Sequence, residues 1–170
     1  MKNEELLLLI SRLLQYPQEE MLAINPSDYQ ISNKETERRI SDFIAYLQSI
    51  PFAEQQKNYV NTFDFNEKTN LYLTYAKLKE EKDRGQVLLK LKQIYQNEGL
   101  HMESAELPDY LPLVLEFMAI ADEEISSQLF KQLQETIQTL RRELEAINSP
   151  YAGLIDSILI IMDSQTAKGG

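Results

Sequence analysis

Apolar residues recur along this chain at intervals of three and four, the spacing of one face of an α-helix. Asn3 can cap a first helix through about Gln15, with Leu6, Leu9, Ile10 and Leu13 as its core stripe, broadened by Leu7 and Leu14. Glu4 and Glu5 suit its positive end. Tyr16-Pro17 ends it, and Pro17 can open a short second helix to about Ala23. Asn25-Pro26-Ser27-Asp28 is a turn cluster. Ser32 and Glu35 have capping-box spacing for the next helix, whose stripe runs Ile40, Phe43, Ile44, Leu47 until Pro51 stops it. From Pro51 to Asp64 a further helix places Phe52, Gln56, Tyr59, Val60 and Phe63 on one side. Asp64-Phe65-Asn66 breaks the pattern. Leu71 to Tyr75 fits strand alternation and helical period equally, and its helical surroundings favour helix.

A long helix is expected from Lys79 to Glu98, with Leu88, Leu91, Ile94 and Tyr95 inward and Gly99 just past its end. Gly85 inside it costs ~1 kcal/mol against alanine, which predicts close approach of another helix there. Leu100 to Pro108 reads as an irregular connection. It leads into the densest apolar run of the chain, entered between two prolines, Pro108 and Pro112. Proline is tolerated in a first helical turn. Asp109 therefore reads as an N-cap, Tyr110 to Pro112 as the first turn, and Leu113 onward as helix. Leu111, Val114, Leu115 and Met118 form one stripe, and Leu113, Phe117 and Ile120 a second, so this helix should lie in the middle of the fold. A narrow edge of Asp109, Pro112, Glu116 and Glu123 would stay polar. Asp109, Glu116 and Glu123 are spaced by sevens and form an acidic column if the helix continues past Ala121. Asp109 has an alternative use as a cap, and Glu116 as the solvated side of a buried helix.

Residues 125–147 are again strongly periodic, through Leu129, Leu133, Ile137, Leu140, Leu144 and Ile147. Ser149 and Pro150 open a last helix that packs through Leu154, Ile155, Ile158, Leu159 and Met162, and residues 164–170 should fray. The expectation is an all-α, single-domain bundle of about seven to eight helices over residues 1–163, with a disordered tail at 164–170.

Composition narrows the function. Hydrophobic residues make up 43% of 170, with 5 glycines and 6 prolines, as in an ordered globular chain. Lys and Arg number 17 against 27 Asp and Glu, a net charge of −10. Such a field repels nucleic acid and suits a basic polypeptide, although it also serves solubility. Without cysteine there are no disulfides, thiolate nucleophiles or cysteine metal ligands. The acidic start does not make a signal peptide, and Leu154 to Met162 is too short to span a bilayer, so a soluble cytoplasmic protein is expected.

Candidate chemistry is sparse. His101 is the sole histidine, the glycines form no phosphate loop, and no catalytic triad is discernible. Asp122-Glu123-Glu124 could be drawn as a metal cluster, but a favourable helix N-terminus is the plainer reading. Neither a catalytic nor a metal site is assigned. Tyr59, Tyr72, Tyr75 and Tyr95 fall on apolar faces as core residues with polar tips.

The run Glu106-Leu-Pro-Asp-Tyr-Leu-Pro-Leu-Val-Leu-Glu-Phe117 resembles the signature of the NarJ family. These are nitrate reductase delta-type molybdenum cofactor assembly chaperones, within the TorD-like all-helical superfamily. Leu13-Leu14-Gln15-Tyr16-Pro17, Tyr59-Val60-Asn61-Thr62-Phe63-Asp64, Leu71-Tyr72-Leu73-Thr74-Tyr75 and Asp83-Arg84-Gly85 agree, in matching order. The wider superfamily often carries histidine where this chain has Tyr110, a departure that fits the nitrate reductase branch. The resemblance implies a chaperone, not an enzyme, that binds the apo catalytic (alpha) subunit of respiratory nitrate reductase, chiefly at its N-terminal segment. It would support insertion of the molybdenum bis-guanine-dinucleotide cofactor before membrane docking without stably holding the cofactor, and could also meet cofactor-delivery proteins. A peptide groove is then expected near Tyr59, Phe63, Tyr110 and Leu111, with Glu106, Asp109 and Glu116 meeting the peptide's cations. The alternatives are a TorD-like chaperone for another molybdoenzyme, a helical adaptor or regulator with no cofactor role, and a nucleotide-binding enzyme. No phosphate loop supports the last.

Overall fold

Seven of the ten residues of the central helix are buried: Leu111, Pro112, Val114, Leu115, Phe117, Met118 and Ala119. A segment so apolar needs a neighbour on nearly every side, and the other helices supply them. The computed structural model describes residues 3–79, 81–101 and 106–169. Its helices are α1 (Asn3–Leu13), α2 (Lys34–Ser49), α3 (Phe52–Tyr59), α4 (Tyr75–Leu78), α5 (Lys82–Asn97), α6 (Leu111–Ile120), α7 (Glu123–Ala146) and α8 (Ala152–Gly169). The all-α expectation holds: among the described residues there are eight α-helices and only one isolated β-bridge. Residues 80 and 102–105, within the predicted α5 helix and the connection after it, lie outside the described residues, as do 1, 2 and 170.

The closest pairings are α1 with α6, α7 with α8, and α2 with α8. Leu6, Leu9, Ile10 and Leu13 of α1 are buried as their spacing predicts, and Ser11 Oγ donates to the Pro112 carbonyl at 2.7 Å. Leu154, Ile155, Ile158 and Met162 of α8 have no exposed surface. Asp156 of α8 joins Arg39 of α2, at 2.7 Å, and Arg141 of α7. One carboxylate thus ties together three helices that meet mainly through hydrocarbon.

Several local expectations give way to specific hydrogen bonds. The cap of α2 is Asn33, not Ser32: its Oδ1 accepts from Thr36 N at 2.9 Å, while Glu35 turns to Arg38 and Arg39. Leu71 to Thr74 is not helical, and α4 begins only at Tyr75. Leu73 N donates to Asp109 O at 3.0 Å and Leu111 N donates to Leu71 O at 2.8 Å, an antiparallel bridge that pairs Tyr72 with Tyr110. The bridge also explains why α6 is capped at Tyr110 rather than Asp109, with no side-chain cap bond. Tyr110 N donates to Leu107 O, Leu111 N to Leu71 O, and Pro112 has no N–H, so most of the donors a cap would serve are already satisfied. Downstream, α6 stops at Ile120 and Ala121 is extended, at φ −74° and ψ 161°. Asp122 then starts α7, so Asp109, Glu116 and Glu123 do not form a column on one helix.

The predicted helix over Pro51 to Asp64 forms as α3 followed by a π-turn at Val60–Asp64. The short helix expected after Pro17 is a 3-10 turn at Glu19–Ala23. Ser149 Oγ accepts from Tyr151 N at 3.2 Å, but α8 begins only at Ala152, three residues after Ser149. Helix α8 runs on through the stretch expected to fray, as far as Gly169.

Gly99 has the φ of +86° that favours glycine at a helix end. Gly85 does not meet a neighbouring helix: a Cβ there would have nothing within 4 Å. Gly85→Ala should therefore raise unfolding free energy by ~0.5–1 kcal/mol, and Gly99→Ala should lower it by ~1 kcal/mol. Urea unfolding followed by circular dichroism measures both; a loss at Gly85→Ala would mean that the glycine has a packing role after all.

Candidate functional site

The bridge between residues 71–73 and 109–111 delivers Asp109 to a place its sequence position does not announce. Its side chain has no exposed surface. Oδ2 accepts from Thr74 N at 3.1 Å and from Thr74 Oγ1 at 2.6 Å, and Arg84 Nη2 lies 3.4 and 3.2 Å from the two carboxylate oxygens. Arg84 Nε also donates to Thr74 Oγ1 at 3.2 Å, and the guanidinium sits 5.3 Å from the centre of the Tyr75 ring. A buried carboxylate needs this much satisfaction to remain in place. Tyr95 Oη donates to Pro108 O at 2.7 Å, so α5 is anchored to two consecutive residues, through Arg84 and Tyr95.

With its backbone held on both sides, Tyr110 projects between two hollows. One, of about 340 Å³, is lined by Gln15, Tyr16, Gln18, Glu106, Tyr110, Pro112, Leu113 and Glu116. The other, of about 270 Å³, is lined by Tyr16, Tyr59, Phe63, Asp64, Asn70, Leu71, Tyr72, Glu106 and Tyr110. Sharing Tyr16, Glu106 and Tyr110, the two make one groove. Its walls are aromatic. The rings of Tyr72 and Tyr110 lie 5.0 Å apart at 32°, Tyr16 meets Tyr59 edge-on at 5.7 Å, and Phe63 meets Tyr59 at 4.8 Å. Among the described residues neither hollow is lined by a lysine or arginine, whereas Asp64, Glu106 and Glu116 all take part.

Electrostatics follow from this lining. Burial pushes the Tyr110 hydroxyl above its ordinary range; the contact with Tyr59 pulls the other way, and Glu106, Asp64 and Glu116 add to the rise. Tyr59 and Tyr72 are raised likewise, by burial first, so all three phenols stay neutral. Partial burial also raises the Asp64 carboxyl. Tyr72 Oη donates to Glu106, and Tyr59 Oη donates to Leu14 O at 2.9 Å. The groove thus holds neutral phenols and carboxylates with no nucleophile–base pair. His101 is exposed in a loop, and no group of His, Asp and Glu among the described residues could hold a metal ion. Such an arrangement binds cations and apolar groups.

Of the residues singled out from the sequence, Glu106, Tyr110, Glu116, Tyr59 and Phe63 line the groove. Leu111 and Asp109 lie buried beneath it, and Glu123 is at the start of α7. Sequence reasoning passed over Tyr16, Asp64, Thr74 and Arg84 as site residues. Arg84 left a readable trace: it stands four residues before Leu88, in register with Leu91 and Tyr95. A charge on the inward stripe of a helix requires a buried counter-charge.

Residues 31–156 match the family model described as nitrate reductase delta subunit. The chain belongs to this family. Over 159 residues it is 36% identical to the probable nitrate reductase molybdenum cofactor assembly chaperone NarJ of Bacillus subtilis (strain 168), covering 91% of this chain and 86% of that protein. It is 31% identical over 160 residues to the nitrate reductase molybdenum cofactor assembly chaperone NarJ of Escherichia coli (strain K12), covering 90% and 67%. The probable assembly chaperone NarW of the same strain is 26% identical over 164 residues, 96% of this chain and 71% of that protein. Membership in the delta-subunit family places the chain among assembly chaperones rather than catalysts.

The Asp109–Arg84 pair gives the site a direct test. Arg84→Met leaves a buried carboxylate unpaired and Asp109→Asn a buried guanidinium; each should cost about 3–5 kcal/mol in urea unfolding. The double variant should cost clearly less than the sum, because the second change removes the charge stranded by the first. Strict additivity would show that the two side chains do not act on each other.

Proposed function

We propose that this protein is a dedicated chaperone of respiratory nitrate reductase. It binds the apo catalytic (alpha) subunit at its N-terminal segment and holds it competent for insertion of the molybdenum bis-guanine-dinucleotide cofactor before membrane docking. The names of its relatives support the nitrate reductase and cofactor parts of this reading. The observation that carries the binding part is the groove at Tyr110, walled by aromatic rings, edged by Asp64, Glu106 and Glu116, and lined by no cation among the described residues.

A groove of this kind matches an amphipathic segment that carries both apolar and basic side chains. The apolar residues settle on Tyr16, Phe63, Leu71 and Leu113, and the basic ones meet the carboxylates. Asp109 acts from below, by fixing the backbone that aims Tyr110, and Leu111 forms the buried footing of the same turn. Binding to one conformer of the apo subunit stabilises it by RT ln(1 + [L]/Kd), so no chemistry is required of the chaperone. Release follows when cofactor loading depletes that conformer. No described helix is long and apolar enough to cross a membrane. We place the protein in the cytoplasm, where the apo subunit awaits its cofactor; contact with cofactor-delivery proteins would be a second, separate interaction.

The test is titration of the N-terminal peptide of the catalytic subunit into the wild type and into Glu116→Lys at low salt. Reversing this charge should weaken binding by at least ~10-fold, with the difference shrinking as salt is added. Equal affinities with the fold intact would remove the electrostatic part of the proposal.

A further inference from the structure

Charge is unevenly distributed along this chain. Residues 68–92 carry seven of its 17 Lys and Arg but three of its 27 Asp and Glu, which puts this stretch at +4 and the remainder at −14. The stretch takes in the segment before α4, α4 itself and most of α5. Several of its lysines border a cleft that is separate from the groove at Tyr110.

The cleft runs along α7. Two hollows of about 220 Å³ each meet at Gln132. One lies between α7 and residues 68–77, where Lys68, Leu73 and Lys77 face Thr136, Thr139 and Leu140. The other lies between α7 and the end of α5, where Ile94 and Asn97 face Ile125, Gln128 and Leu129. Helix α7 packs closely on α8 and α6, whereas α5 stands off it, and this side of α7 is left open. From Ile125 to Leu140 its lining residues recur at helical spacing and form one stripe about 22 Å long. Leu73 reaches the cleft while Leu71 and Tyr72 line the groove, and Asn70 borders both. The bridged segment 71–73 is thus the wall between the two.

Four cations stand at this cleft. Lys68 and Lys77 line it, and Arg142 Nη2 donates to Thr139 Oγ1 at 3.0 Å on its rim. Lys90 stands four residues before Ile94 and seven before Asn97, on the same face of α5. All four are exposed, and none forms an ion pair among the described residues. The acidic members of the lining are Glu98 and Glu135, so cations outnumber them two to one. In a chain with a net charge of −10, this is a local reversal of sign. The floor between the cations is uncharged, made of leucine and isoleucine side chains, amides and hydroxyls.

An open stripe on one helix fits a second helix laid along it. An uncharged floor with a cationic margin fits a helix that is apolar on one side and acidic on the other. We propose that the cleft between α5, residues 68–77 and α7 is a second docking surface, and that it takes an acidic amphipathic helix of a protein partner. The two surfaces differ in sign, so each repels what the other attracts. This holds whatever occupies the groove at Tyr110.

The experiment uses the whole chain with labelled isoleucine and leucine methyl groups, followed by NMR at low salt. The probes are three helical peptides about 16 residues long, matching the stripe, with one shared apolar face and glutamate, glutamine or lysine on the other. Inorganic tripolyphosphate is the fourth probe. The glutamate peptide should shift the Ile94 and Ile125 methyls, binding at least about fivefold tighter than the glutamine peptide, and the lysine peptide should leave them unmoved. Lys68→Glu combined with Lys77→Glu should weaken the glutamate peptide at least about fivefold; both side chains are exposed, and Arg142→Glu serves if that pair does not fold. Equal binding of the glutamate and glutamine peptides would overturn the proposal, as would an affinity untouched by these reversals. Shifts at Leu71 and Leu113 in place of Ile94 and Ile125 would put the peptide in the groove and also overturn it. A response to tripolyphosphate with none to the glutamate peptide would make the cleft a small-anion site instead.

Discussion

A single carboxylate with no exposed surface holds the candidate groove together. Asp109 binds the backbone and hydroxyl of Thr74 and the guanidinium of Arg84, and its own carbonyl accepts from Leu73. Two segments distant in sequence, Leu73-Thr74 and Arg84, thus converge on one residue immediately before Tyr110. Burying a charge in this way is expensive, and a well-packed apolar contact would often serve stability equally well. What it provides here is direction. The backbone of 109–111 is pinned to 71–73, and the Tyr110 side chain emerges in one place, between the two hollows.

That constraint explains which parts of the chain could be read without the structure. The helices α1, α2, α7 and α8 bury most of the stripe their periodicity marks, because each packs mainly through one apolar face, whereas α6 is buried nearly all round; the expected core positions Ile120 and Ile147, at helix ends, are exposed instead. Errors cluster where a polar group chose a distant partner over a local one. Asp109 looked like a cap because local reasoning offers an aspartate before a helix no better use, yet Thr74 and Arg84 are 35 and 25 residues away in sequence. Leu71 to Tyr75 looked helical because its partner strand, 109–111, is a fragment of three residues hidden at a helix entrance. Ser32 and Asn33 were both competent caps, and only geometry decides between neighbours.

The candidate site was half legible, for the same reason. Glu106, Tyr110 and Glu116 belong to one run and could be picked out together, and Tyr59 and Phe63 followed from the resemblance to the delta-type chaperones. Tyr16 and Asp64 sit at the ends of other helical segments, on the opposite wall of the groove, and nothing local marks them as its neighbours. Hydroxyl direction is less legible still. That Tyr59 donates to Leu14 O depends on a contact 45 residues apart in the chain.

The central claim is that the groove around Tyr110 is where the catalytic subunit of nitrate reductase docks, and amide hydrogen exchange of the chaperone with and without that apo subunit tests it most directly. The account predicts added protection in residues 15–18, 64–72 and 106–116, lost again once the subunit has received its cofactor. Protection confined to the α2, α7 and α8 face, with the segments around Tyr110 exchanging as in the free protein, would contradict it.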